Sequence, residues 1–80
     1  MIVEVKLPQL SMGVVDCQVS KWLKAVGERV EQGQLLVEVD TDKTVTEIEA
    51  PESGVLVEIR HPAGTVVDVG ETLGVIDTAA

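Results

Sequence analysis

Apolar and polar residues alternate along residues 2–7, where Val3, Val5 and Leu7 are separated by Glu4 and Lys6, and residues 55–59, apolar but for Glu58, also read as a strand. A period of two puts successive side chains on opposite faces of a strand. Gly27, Gly33, Gly64 and Gly70 interrupt the pattern at corresponding places, where turns commonly need a positive φ. The spacing is itself repeated. A step of 37 residues lays Gly27 over Gly64, Val30 over Val67, Gly33 over Gly70, Leu36 over Leu73, Asp40 over Asp77 and Thr41 over Thr78. Nearer the N-terminus the step becomes 43, and Ile2-Val3-Glu4-Val5-Lys6-Leu7-Pro8 lies over Val45-Thr46-Glu47-Ile48-Glu49-Ala50-Pro51. The six extra residues of the first copy fall within residues 9–16.

Two copies are too few for a solenoid, so the repeat predicts duplicated half-domains closing around a pseudo-two-fold axis. Each half reads as strand, turn at Pro8 or Pro51, strand, glycine turn, short strand, glycine turn, strand. The fold class is therefore all-β: a flattened barrel of two four-stranded antiparallel sheets, with Gly54 counted among the turn glycines. Composition agrees. Sixteen valines and a single aromatic residue, Trp22, in 80 residues suit a pleated surface with a small aliphatic core. Residues 1–78 read as one domain, and residues 79–80 as the start of a linker or tail.

Fourteen acids against six bases give a net charge of −8. Nucleic acid and anionic membrane are poor partners for that surface, whereas a basic patch on another protein suits it. The isolated domain is expected to be monomeric. Cys17 is the only cysteine and has no internal disulfide partner. Without a signal or transit segment the expected location is cytoplasmic, or the mitochondrial matrix if a presequence has been removed.

Lys43 is the one positive charge between Arg29 and Arg60. The symmetry sets it at the tip of a hairpin, at the end of the barrel opposite Met1 and Ala80. Lysine at positive φ is strained, so a type I turn is expected there. On the residues alone, Lys43 is either a solvated charge paired with Asp40 or Asp42 or a handle for chemistry done elsewhere. Exposed pairs are worth about 0–1 kcal/mol, too little to specify the residue. Catalysis within the domain finds no support. His61 is the only histidine, no Ser/His or Cys/His set is evident, and Asp40 and Asp42 beside Glu38 offer too few oxygens for a metal.

The segment Gly33-Gln34-Leu35-Leu36-Val37-Glu38-Val39-Asp40-Thr41-Asp42-Lys43-Thr44, with Glu47-Ile48-Glu49-Ala50-Pro51 and Gly54, resembles the lipoyl domains of 2-oxo acid dehydrogenase acyltransferases. Trp22-Leu23, Gly27-Glu28-Arg29-Val30, Gly64 and Gly70-Glu71-Thr72-Leu73 extend the resemblance over essentially the whole chain. The resemblance implies lipoate in amide linkage to Lys43, installed by a lipoate ligase or lipoyl transferase. It also implies a swinging-arm carrier, non-catalytic by itself. A thiamine-dependent 2-oxo acid decarboxylase would reductively acylate the arm. The acyl group would go to coenzyme A on the acyltransferase core, and dihydrolipoamide dehydrogenase would reoxidise the dithiol. Asp42 and Thr44 flank the lysine and are expected to be read by partner enzymes. Asp40 and the loop residues Leu10, Ser11 and Met12 join them in that expectation. The family usually has glycine where this chain has Cys17, read here as a small buried residue. The alternatives are a biotinyl carrier, whose family resembles Met-Lys-Met at the tip, and an unmodified adaptor of the same fold.

Overall fold

The computed structural model describes residues 1–9, 13–41 and 44–79. Eight strands follow in order: β1 Ile2–Lys6, β2 Asp16–Trp22, β3 Arg29–Val30, β4 Leu35–Asp40, β5 Val45–Glu49, β6 Gly54–Ile59, β7 Val66–Asp68 and β8 Thr72–Asp77. They form two four-stranded antiparallel sheets with orders β1-β8-β6-β3 and β5-β4-β2-β7. Exchanging β1 with β5, β2 with β6, β3 with β7 and β4 with β8 turns one order into the other, as the sequence repeat requires. The halves are interleaved rather than stacked: each sheet takes two strands from each copy.

Hydrogen bonds repeat with the strands. Leu7 N–H donates to the Glu71 carbonyl at 3.0 Å, and its counterpart Ala50 to Gln34 at 2.8 Å. Gly27 N–H donates to the Leu56 carbonyl at 2.7 Å, and Gly64 to Val19 at 2.8 Å. The symmetry breaks where the first copy carries its extra residues. Val69 N–H donates to the Val15 carbonyl at 2.9 Å, but Gln32 N–H finds the hydroxyl of Ser53 instead, at 2.8 Å.

Between the sheets lies an aliphatic core that includes Val5, Leu7, Val19, Leu36, Val39, Ile48, Leu56, Leu73 and Ile76. Small β-branched and leucine side chains fill a gap with no room for a second layer. A register shift in β4, between Leu35 and Val37, breaks strict alternation and lets Leu36 and Val37 both be buried, and β6 carries a separate shift between Leu56 and Glu58. Trp22 closes one side of the barrel: its Nε1–H donates to the His61 carbonyl at 2.9 Å, and its ring lies against Gly74.

Gly27, Gly33, Gly64 and Gly70 adopt φ between 88° and 97°, the left-handed region the turns were expected to need. Gly54 differs. It is the first residue of β6 and is not in the left-handed region. A Cβ there would lie 2.5 Å from the Asp77 carbonyl oxygen and 2.7 Å from Ile76 Cγ2, so glycine serves close backbone approach and not a turn. Its symmetry mate Cys17 carries a side chain at the matching position of β2 and is buried.

Candidate functional site

Strands β4 and β5 pair from Leu35 opposite Glu49 to Asp40 opposite Val45. Beyond that last pair the hairpin is closed by Thr41, whose N–H and hydroxyl both donate to the Thr44 carbonyl, at 2.9 and 3.1 Å. Two residues, Asp42 and Lys43, span the sequence between them. They lie outside the described residues, as do Leu10, Ser11 and Met12, and the expected type I turn lies outside with them. Asp40 and Thr44 are described. Asp40 ends β4 with its Oδ1 buried and without a hydrogen-bond partner among the described residues, while Thr44 is exposed.

The hairpin base lies at the pole opposite Met1 and Thr78 in a body with principal extents of 36 × 20 × 18 Å. From Val45 beside the hairpin base, β5 runs to Glu49, and the chain then enters β6, where Val55 pairs with Asp77 and Asp77 with Ile2. From Ile2, β1 runs the other way, and the chain enters β2, where Gln18 pairs with Asp40. Residues 13–16 thus lead the chain into β2 at the hairpin pole.

That pole is acidic. Glu38 faces Glu47 on one side and Lys21 on the other, and Asp16 faces Asp68. Like charges directly opposite in an antiparallel pair are unfavourable, so Lys21 offsets only part of the repulsion. Val45 and Val66, 58% and 63% exposed, flank these carboxylates. A cationic partner surface would find complementary charge with apolar contact beside it.

Little elsewhere suggests chemistry. The groove between the edge strands β1 and β5 is lined by Glu4, Lys6, Glu47 and Glu49 over Val5 and Ile48, and holds no histidine or cysteine. His61 Nε2 lies 3.4 Å from Glu71 Oε2 in an ordinary surface pair. Burial, and secondarily the neighbouring Asp16, raises the pKa of the Cys17 thiol, which keeps it protonated. Among the described residues, Thr41 is the part of the site that carries no motif of its own in the sequence. The repeat had already set it over Thr78, which was the available signal.

Comparison with known proteins agrees with this geometry. Residues 3–76 match the biotin–lipoyl family model, described as "Biotin-requiring enzyme". The chain is 43% identical over 77 residues to the dihydrolipoyllysine-residue succinyltransferase component of the 2-oxoglutarate dehydrogenase complex of Bacillus subtilis, covering 96% of this chain and 18% of that protein. It is 40% identical over 79 residues to the dihydrolipoyllysine-residue acetyltransferase component of the pyruvate dehydrogenase complex of Corynebacterium glutamicum, covering 99% of this chain and 12% of that protein. The chain thus spans less than a fifth of either relative. Among solved structures, the lipoyl domain of the 2-oxoglutarate dehydrogenase complex from Azotobacter vinelandii superposes with a TM-score of 0.76 at 36% identity, covering 94% of this chain and 95% of that one. Urea carboxylase of Kluyveromyces lactis gives a TM-score of 0.82 at 25% identity, over 96% of this chain and 6% of that one. Backbone shape alone therefore does not separate the two kinds of relative, and sequence identity does. With 74 consecutive positions matched by the family model and a solved lipoyl domain covered almost entirely, the chain belongs to the biotin–lipoyl family and, within it, to the lipoyl domains.

Proposed function

We propose that this domain is the swinging-arm acyl carrier of a dihydrolipoyl acyltransferase, with lipoate amide-linked to Lys43. The observation that carries the reading is the closed hairpin base. Thr41 and Thr44 are bonded across a two-residue interval that contains Lys43, at the pole remote from Met1 and Thr78. The site fits such a group. Thr44 and Val45 are exposed, so an arm leaving that interval is not enclosed by its described neighbours.

Attached lipoate supplies a dithiolane able to take up an acyl group with its own reduction; the protein supplies placement and recognition. Acylation also replaces the lysine charge with a neutral amide. Tethering the arm to a body joined to the rest of the assembly at its opposite pole keeps the local concentration high at several active sites. Those sites are a thiamine-dependent 2-oxo acid decarboxylase, the acyltransferase core and dihydrolipoamide dehydrogenase, with a lipoate ligase or lipoyl transferase for loading. The acidic hairpin pole supports docking onto basic surfaces of these enzymes, read through Asp40, Asp42, Thr44 and the loop bearing Leu10, Ser11 and Met12.

Intact-mass measurement after incubation with lipoate ligase or with biotin ligase tests the reading. Lipoyl addition to the native chain, and none to Lys43→Ala, is expected. Biotin addition would move the assignment to the biotinyl carriers, and no addition by either enzyme would leave an unmodified adaptor.

A further inference from the structure

The double hydrogen bond that closes the hairpin occurs twice. Thr78, the symmetry mate of Thr41, donates its N–H and its hydroxyl to the Met1 carbonyl at 2.9 and 3.1 Å, the distances found from Thr41 to Thr44. No turn joins Thr78 to Met1, so the arrangement there needs none: strand pairing and the threonine side chain suffice. At the other pole the same pair of bonds joins Thr41 and Thr44, the two residues that flank Asp42 and Lys43 in the sequence.

We propose that Thr41 is a positioning residue for acylation of Lys43, its hydroxyl holding the Thr44 carbonyl so that the lysine is presented in one place to the modifying enzyme. The proposal rests on the carrier reading above. With the amide bond alone, the strand end would keep a single bond to that carbonyl and would open more readily. The hydroxyl adds a second donor to the same acceptor, and its loss lowers the fraction of molecules with the lysine correctly placed. A reduced competent fraction raises the apparent dissociation constant in proportion, leaving the chemical step of the bound form unchanged.

The test measures lipoylation by lipoate ligase for the native domain, Thr41→Val, Thr41→Ser and Thr78→Val, followed by intact mass well below the unfolding temperature of each. Valine keeps the β-branched shape and the backbone donor while deleting the hydroxyl. Thr41→Val is expected to raise KM measurably but by no more than about tenfold, the bound set by the worth of one neutral hydrogen bond, with kcat nearly unchanged. Thr41→Ser is expected to restore the native KM. Thr78→Val loses the matching bond at the far pole and is expected to behave as native. Hydrogen exchange at the residue-41 amide should quicken in Thr41→Val alone. Equal behaviour of Thr41→Val and Thr78→Val, a loss confined to kcat, or unchanged exchange at residue 41 would overturn the proposal. Failure of the native chain to be lipoylated at all would instead defeat the carrier reading, and this proposal with it.

Discussion

Thr78 holds Met1 as Thr41 holds Thr44, with both donors on one carbonyl, although no turn joins Thr78 to Met1. The N- and C-terminal strands are thus already arranged as the base of a hairpin. A circular permutant that joins Thr78 to Met1 through Asn-Gly, the pair suited to a two-residue type I′ turn, and opens the chain between Asp42 and Lys43 should fold. Its thermal unfolding midpoint is expected within several degrees of the native value. A permutant lacking cooperative unfolding would show that the turn at residues 42–43, and not the sheet, sets the hairpin geometry.

Gly54 and Gly27 should fail differently when substituted. At Gly54 an added Cβ meets the Asp77 carbonyl at 2.5 Å, and an overpacked site of this kind costs about 1–3 kcal/mol whatever residue is introduced. At Gly27 nothing lies within 4 Å and the cost is the backbone at φ 97°, about 1–2 kcal/mol for alanine. Asparagine tolerates that region, so Gly27→Asn should lie closer to native than Gly27→Ala. No such rescue is expected for Gly54→Asn. Urea unfolding of Gly27→Ala, Gly27→Asn, Gly54→Ala and Gly54→Asn compares them directly.

Cys17 is 3% exposed, and its thiol is held above the usual range by burial. An acid whose folded pKa is raised favours the fold at pH below its unfolded pKa, and that contribution is lost as pH rises through the folded value. Alkylation by iodoacetamide at neutral pH should therefore be slow in the native protein and fast in urea. Rapid labelling under native conditions would contradict the burial of β2 against the core.

Glu4 accepts a hydrogen bond from the Thr72 hydroxyl, which is the main cause that lowers its pKa from the ordinary 4.5; Lys6 and Arg60 act in the same direction, and desolvation opposes them. A depressed carboxylate pKa favours the folded state above the unfolded pKa, and the benefit disappears as pH falls through the folded value. In Thr72→Val the Glu4 pKa should rise toward 4.5, measured by the side-chain carboxyl shift in an NMR titration. An unchanged titration would assign the lowering to Lys6 and Arg60.

The one-dimensional pattern carried far because period-two alternation and glycine turns are local, and a duplication prints its symmetry directly on the chain. Eight strands, two sheets, the left-handed glycines and the separation of the Thr41–Thr44 hairpin base from Met1 and Thr78 all followed from residues compared at offsets of 37 and 43. Three features needed the folded chain. The halves interleave, β1 and β3 sharing a sheet with β6 and β8, because a single half has no partner against which to bury its valines. Gly54 has the sequence setting of a turn glycine, and only the fold brings the Asp77 carbonyl against it, since close approach between residues 23 positions apart leaves no local signature. Thr41 was visible as a repeated residue. Only its two hydrogen bonds, and their copy between the first and last strands, show what the repetition holds in place.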